Sequence, residues 1–423
     1  MADESVIATY AIESFHPLEY AAEVLAGEQS SGTFVAVPGE SEDLQHTYRA
    51  RVLSVEEGAR KEFPSLPGAQ RPPGADGAQY VNSGTIRIEF PLHNFGPSIA
   101  NMLAAVSGNL YELRELAAAR LLDLDLPQGL TERYKGPTFG IGGTRRAIGG
   151  SAECGIMIGT IIKPSIGLTP EDLRPIVREL VESGIDFIKD DELIGNPPYS
   201  PLPERVRVVM EEVERGAQRT GKKTMYAFNI TDDIELMREH YETVRAAGGT
   251  CVMVCVNLIG FPALAHLRSY SELPIHGHRT MIGALMRYPG LGIDFLAYQK
   301  IVRLCGADQL HVGGMNNKFY ESNDEIRASI EAVRAPMLGG YEILPVLSSG
   351  QWAGTAQPTY EITKSTDFLF LAGGGIHAHR GGRAAGVTSL RQAWEAALAG
   401  VPLEEYAKSH TELAQAIATF AKA

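Results

Sequence analysis

The sequence predicts an α/β protein in which a (β/α)8 TIM barrel follows a smaller α+β domain. From residue 155 onward, eight short apolar runs recur, at 155–164, 185–192, 224–231, 251–257, 273–279, 307–314, 341–350 and 367–375. Segments with helical spacing separate them, such as PEDLRPIVRELVESG and NDEIRASIEAVRA. Eight strands alternating with helices fit a barrel better than an open sheet, although a doubly wound sheet alternates in the same way. No dinucleotide-type glycine fingerprint follows the first run, which counts against the open sheet.

Before about Gly136 no fixed period holds. SGTFVAV (31–37) and TIRIEFPL (85–92) alternate as strands do, whereas NMLAAVSGNLYELRELAAARLL (101–122) reads as helical with one glycine interruption. LPGAQRPPGADGAQ (66–79) is a Pro/Gly-rich loop, and a second such zone at 127–143 marks the boundary between domains 1–135 and 136–423. A helical tail, 401–423, closes the chain with apolar positions every three to four residues.

The 423 residues are 44% hydrophobic and 21% charged, as in an ordinary globular protein, and are enough for two domains. A net charge of -13 argues against nucleic acid and anionic membranes as partners, while leaving room for locally positive phosphate sites. No apolar stretch is long enough to span a bilayer, and MADESVIATY lacks the features of a signal peptide, so the cytoplasm is the expected location. Four cysteines are too few for a disulfide scaffold, and Cys251 and Cys255 in CVMVCVN read as core thiols rather than zinc ligands.

In a barrel, polar residues at the C-terminal strand ends build the active-site mouth. Those ends carry Lys163-Pro164-Ser165, Lys189-Asp190-Asp191-Glu192, His276-Gly277-His278-Arg279, His311 with a loop reaching Lys318, Ser348-Ser349-Gly350 and Gly373-Gly374-Gly375. Lys189 and Asp191, two apart, share one face of a strand, and Glu192 can bend back toward them. Two carboxylates at a strand end suit a hard cation such as Mg2+. An ammonium between them would repel the metal, but a lysine carbamylated by CO2 would supply another oxygen. The plain alternative is a solvated charge cluster or a Lys–Asp ion pair. The glycine triplet presents backbone N–H groups to a phosphate, and Arg279 offers a two-pronged fork to a phosphate or carboxylate, with His311 and Ser349 as further donors.

GTIIKP (159–164) followed by DFIKDDE (186–192) resembles the RuBisCO large-subunit signature, and the resemblance extends over nearly the whole chain. It implies that Lys189 (as the carbamate), Asp191 and Glu192 hold Mg2+ and that Lys163 handles the enolisation proton. It implies that Arg279 binds phosphate and that His278 lies near the reacting hydroxyl. It also places His311 at the strand-6 histidine, Lys318 in the mobile loop, and Ser349, Gly350, Gly373 and Gly374 at phosphate- or hydroxyl-binding positions. EQSSGTF (28–34) and SGN (107–109) give Glu28, Thr33 and Asn109, which in that family reach the neighbouring subunit's site. A homodimer with shared active sites is therefore implied, compatible with a higher assembly of dimers.

The departures point away from a photosynthetic carboxylase and toward a RuBisCO-like protein (form IV). Ser165 replaces the second lysine of the family's KPK motif, and Phe34 replaces a tryptophan. Gln351, followed by Trp352, replaces a phosphate-pocket glycine, Ile282 replaces a histidine, and the mobile loop reads VGGMNNKFY. Losing that glycine while keeping Arg279 suggests a substrate with one phosphate, or with one phosphate and a smaller group. Retention of Lys318 favours carbon–carbon bond chemistry on a 3-oxo sugar-acid phosphate such as 3-oxo-isoapionate 4-phosphate. The competing readings are a methylthio-sugar phosphate enolase or isomerase, a non-catalytic homologue with a binding or regulatory role, and an authentic carboxylase.

Overall fold

The computed structural model describes residues 4–32, 38–149 and 155–421. Contacts divide the chain into two units: Met1–Lys135 with Met281–Ile301 and Met337–Gly340, and Gly136–Thr280 with Val302–Pro336 and Tyr341–Ala423.

The first unit is built on a five-stranded sheet comprising β1 (Ser5–Ser14), β2 (Arg51–Glu57), β3 (Asn82–Pro91), β4 (Ala118–Asp125) and the later β10 (Leu291–Ile293), in the order β10-β4-β1-β3-β2. Strand β1 lies at the centre, antiparallel to both β3 and β4. Its alternate residues Val6, Ala8 and Tyr10 are fully buried, as are Ile86 and Ile88 of β3. The helix Leu18–Glu28 contributes Leu18, Ala21, Ala22 and Leu25 to the unit's core.

The helical reading of 101–122 holds only for Ile99–Val106. Residues 118–125 form a strand instead, with Leu121 and Leu124 buried. AAARLL has no β-branched residue, so local propensity favours a helix; pairing with β1 overrides it. Of the run 31–37, residues 33–37 lie outside the described residues, Thr33 among them. The stretch 66–79 forms neither helix nor strand.

In the second unit the eight apolar runs become eight parallel strands: β5 (Met157–Ile161), β6 (Phe187–Lys189), β7 (Met225–Asn229), β8 (Cys251–Cys255), β9 (Ile275–His278), β11 (Gln309–Gly313), β12 (Leu344–Leu347) and β13 (Leu369–Leu371). They close into a barrel through β13 pairing with β5 and β9 with β11. Met157, Phe187, Met225, Cys251, Met253, Leu344, Val346 and Leu369 pack in the barrel core, joined by Ile141 and Ile148 from in and just after the helix Gly140–Ala147. Cys251 and Cys255 are buried free thiols. Capping boxes at Thr169/Asp172 and Ser322/Glu325 start two of the outer helices. The tail is helical in two pieces, Leu403–Ala407 and Thr411–Phe420, the second tied to the preceding long helix through Gln392. No helix among the described residues is long and apolar enough to cross a membrane.

Asp308, just ahead of β11 and fully buried, ties this end of the barrel together. Its carboxylate accepts from the amides of Phe139 (2.5 Å), Gly140 (3.2 Å) and Ile275 (2.9 Å) and from Arg268 Nη1 (2.8 Å). Asp308→Ala would leave the nearly buried Arg268 charge and three amides without this partner. It is expected to destabilise the protein by roughly 3–5 kcal/mol, read from the urea unfolding midpoint; an unshifted midpoint would contradict this account.

Candidate active site

The barrel interior changes character along its strands. Two residues beyond the core Phe187, the strand period of two brings Lys189 to the same inward face. The same period pairs His276 with His278 on β9 and Gln309 with His311 on β11. The lower interior is apolar; above it lies a buried polar layer.

Lys189 is fully buried. Its Nζ donates to the Asp190 carbonyl at 2.8 Å and lies 3.4 Å from Glu192 Oε2. Burial drives its pKa down, outweighing the opposing charges of Glu192 and Asp191. Burial alone would raise the Glu192 carboxyl, but the Lys189 and Lys163 charges hold it below the usual range. Asp191, 2% exposed, accepts from Lys163 Nζ at 2.7 Å on one oxygen and from the Leu193 amide at 3.1 Å on the other. Lys163 also donates to Ser165 Oγ at 2.6 Å, so the substituted residue of the KPK motif serves as its partner.

The three acids of the motif have different fates. Asp190 accepts from Arg205 Nε (3.2 Å), Tyr226 OH (2.7 Å) and the Asn229 amide (3.0 Å), which makes it a buried structural anchor. Asn229 Nδ2 reaches the carbonyls of Asp191 and Glu192, each at 3.4 Å, and props the turn that carries them. Among the described residues no three His, Cys, Asp or Glu side chains form a metal-holding group. Asp191, Glu192 and Lys189 become a three-donor oxygen set only once the amine carries a carboxylate of its own. In that form the set fits a hard divalent cation.

His276 and His311 form a hydrogen-bonded chain. Gln309 points its Nε2 at Met225 Sδ, so its Oε1 accepts from His276 Nδ1 at 2.7 Å. His276 Nε2 then accepts from His311 Nε2 at 2.8 Å, and His311 Nδ1 accepts from Ser348 Oγ at 2.8 Å. This network assigns the tautomers. His276 and His311 are held neutral, their pKa values driven well down by burial and by neighbouring positive groups. Both nitrogens of His311 are thereby engaged, so in this arrangement it has no N–H to offer a phosphate. His278 Nδ1 accepts from the Thr280 amide at 3.2 Å, which leaves Nε2 as the donor, 3.5 Å from Glu192 Oε2. Burial, then the Lys189 charge, keeps it neutral as well.

The remaining expected residues are distributed unevenly. Arg279 does not present an open fork: its terminal nitrogens donate to the two oxygens of Glu321, each at 2.6 Å. Lys318 is exposed, and its backbone lies beside Gly350, where an added Cβ would sit 3.5 Å from the Lys318 nitrogen. Ser349 and Gly350 both have positive φ, 75° and 72°, making a sharp turn after β12. Gly373 faces Lys163, with an added Cβ 3.6 Å from its Cε, and one at Gly374 would meet nothing within 4 Å. Gln351 is buried and donates to the Met315 carbonyl at 3.1 Å, while Trp352 packs on Phe420. Glu28 ends its helix and Asn109 opens a 3-10 turn in the first unit, both exposed.

Sequence reasoning missed Asn229, Gln309, Glu321 and the roles of His276 and Ser348. It also missed His377, whose Nδ1 accepts from Arg383 Nε at 3.2 Å, with Arg383 held by Glu179 at 3.0 Å. Burial, then the Arg383 charge, pushes His377 down to about 4. The period-two pairing of His276 with His278 and of Gln309 with His311 could have flagged His276 and Gln309; nothing local flags Asn229, Glu321 or His377.

Comparison with known proteins identifies the family to which this fold belongs. The family model described as ribulose bisphosphate carboxylase large chain, catalytic domain, matches residues 140–420, and that for its N-terminal domain matches 1–130. The 3-oxo-isoapionate-4-phosphate transcarboxylase/hydrolase of Xanthobacter autotrophicus is 45% identical over 98% of this chain and 99% of its own. The 3-oxo-isoapionate-4-phosphate decarboxylase of Rhizobium etli is 43% identical over 97% of this chain and 98% of its own. Among solved structures, a rubisco-like protein from Burkholderia fungorum superposes with a TM-score of 0.90 at 44% identity, covering 99% of this chain and 100% of that one. Matched in both of the family's domains and along nearly its full length, the chain belongs to the RuBisCO large-chain family and groups with its RuBisCO-like members.

Proposed function

We infer that the barrel mouth enolises a phosphorylated sugar derivative in a Mg2+-dependent reaction. The favoured chemistry is carbon–carbon bond cleavage of a 3-oxo sugar-acid phosphate such as 3-oxo-isoapionate 4-phosphate, by decarboxylation or by transcarboxylation and hydrolysis. The observation that carries the reading is the buried Lys189 amine, 3.4 Å from Glu192 and next to the turn that carries Asp191, with Lys163 ion-paired to Asp191. The names of the Xanthobacter and Rhizobium relatives support the substrate class.

Attack on CO2 requires a neutral amine, and burial of Lys189 favours that form. Its carbamate, Asp191 and Glu192 would hold Mg2+, which when bound supplies Lewis-acid polarisation of the substrate's oxygens. The chain's own groups do the rest. Loss of the carboxyl group from a 3-oxo acid leaves an electron pair that needs a proton, and the Lys163 ammonium, already oriented by Asp191 and Ser165, delivers it to carbon. Neutral His278 donates from Nε2 to a substrate hydroxyl without adding charge. The Gly373–Gly374 turn, open where side chains would intrude, receives the phosphate. Lys318, on its exposed loop, attends the departing or migrating carboxylate. Glu28, Thr33 and Asn109 serve a neighbouring subunit in a homodimer.

Phosphorus and carbon NMR of the Mg2+- and bicarbonate-treated enzyme with 3-oxo-isoapionate 4-phosphate tests the chemistry. A tetrulose phosphate with CO2 means decarboxylation, 3-phosphoglycerate with glycolate means transcarboxylation and hydrolysis, and no conversion would rule this substrate out. Lys163→Met is expected to lower kcat by about 10²–10⁴, and normal turnover by Lys318→Ala would remove that residue's role. In calorimetry, Mg2+ should bind the wild type markedly more tightly with bicarbonate than without, and Lys189→Ala should abolish the difference; a bicarbonate effect that survives in the variant refutes carbamylation at Lys189.

The neutral histidines also set an acid limit. His276, His278, His311 and His377 have folded pKa values below the unfolded value of about 6.5, so the unfolded chain takes up more protons beneath it. Their stabilising contribution is full above pH ~6.5 and is lost as pH falls, for His377 down to about 4. The urea midpoint should therefore be lower at pH 5.5 than at 7.5; equal midpoints would show that these imidazoles are not held neutral.

A further inference from the structure

The buried pair between Arg279 and Glu321 takes no part in the chemistry above. Each terminal nitrogen of Arg279 meets a separate Glu321 oxygen at 2.6 Å, and both side chains are less than a tenth exposed. A guanidinium's planar fork gives this two-pronged grip to one oxyanion at a time. Here that oxyanion is the protein's own.

The surroundings hold the arrangement in place. Gly313 has φ +92°, and a Cβ there would sit 3.1 Å from Arg279 Nη2 and 2.1 Å from Ile326 Cδ1, so only glycine leaves room for the fork. The loop that delivers Glu321 is wired to itself: Asn317 Nδ2 donates to the carbonyls of Gly314 (2.9 Å) and Glu321 (3.2 Å), and Asn316 and Asn323 bond each other reciprocally. Gln351 lies against the same loop, its Nε2 2.5 Å from where a Gly314 Cβ would be. The carboxylate is thus presented to Arg279 by an ordered turn, beside a buried side chain where the family has glycine.

We propose that Glu321 is a specificity-determining residue whose carboxylate fills the anion seat at Arg279, restricting the site to substrates with a single phosphate. This rests on the sugar-phosphate reading of the barrel mouth. A second phosphoryl group brought to Arg279 would meet a like charge in a place where water screens poorly. With the carboxylate neutralised, the fork becomes available to it.

The test compares binding of a pentitol 1,5-bisphosphate and the matching pentitol 5-phosphate, neither of which has a carbonyl to react. Calorimetry on the Mg2+- and bicarbonate-treated wild type, E321Q and E321D gives the ratio of the two Kd values. The wild type should bind the bisphosphate no more tightly than the monophosphate. E321Q should shift the ratio at least tenfold toward the bisphosphate, while E321D, which keeps the charge, should retain the wild-type ratio. A wild type that already prefers the bisphosphate tenfold, or an E321Q ratio unchanged in a protein folded by circular dichroism, overturns the proposal alone. Binding of neither ligand to any of the three proteins overturns the sugar-phosphate reading and the proposal with it.

Discussion

A closed barrel sends every second side chain of each strand into a space without bulk water, and one of those side chains here is Lys189. An amine in that position is a cost unless it is neutral, paired or chemically altered. The structure around it answers on each count. Burial favours the neutral form, Glu192 and Asp191 supply opposite charge, and the layer of imidazoles above the apolar interior stays uncharged. A cationic His276 or His311 beside Lys189 would raise the electrostatic penalty further, so the hydrogen-bond chain from Ser348 to Gln309, which uses each imidazole as one donor and one acceptor, is part of what makes a buried lysine tolerable.

The neighbouring acids show how a strand end separates structure from chemistry. Asp190 faces out of the barrel, where Arg205, Tyr226 and the Asn229 amide satisfy it completely enough that it has nothing left to offer a ligand. Asp191 and Glu192 fall on the turn, held from behind by Asn229, with Lys163 and the Leu193 amide on Asp191 and Lys189 and His278 near Glu192. The fixed acid anchors the turn that carries the other two, much as an outer hydrogen-bond partner orients a metal ligand.

The barrel and the polar strand ends were legible because both follow from periodicity: eight apolar runs separated by segments of helical spacing, and polar residues where runs stop. The pairing of Lys189 with Asp191 and Glu192 was legible for the same reason, since their spacing is local. What escaped depends on partners far apart in sequence. Strand β4 is set by pairing with β1 about a hundred residues earlier, against its own alanine-rich propensity. The Asn229 prop, the Gln309–His276–His311–Ser348 chain and the Glu179–Arg383–His377 relay each join residues from different strand–helix units. Arg279 was legible as a fork but not as an occupied one, because Glu321 arrives from the next loop with no pattern to announce it.

The substituted positions acquire a common logic once their contacts are known. Where the family's KPK motif would put a second lysine, Ser165 accepts the Lys163 ammonium, replacing a repelling cation with an acceptor that fixes its direction. Where the family has a phosphate-pocket glycine, Gln351 is buried against the loop that presents Glu321. Both changes leave the carboxylates of the turn after β6 untouched, so under the proposed function the group that would support an enediolate is kept while the positions around it are rebuilt. A second phosphate carries two more negative charges and needs donors and cations to match. Arg279 is already met by the protein's own Glu321 carboxylate, so under the proposed function a sugar acid with one phosphate, seated at the Gly373–Gly374 turn, would ask for fewer cations than a bisphosphate.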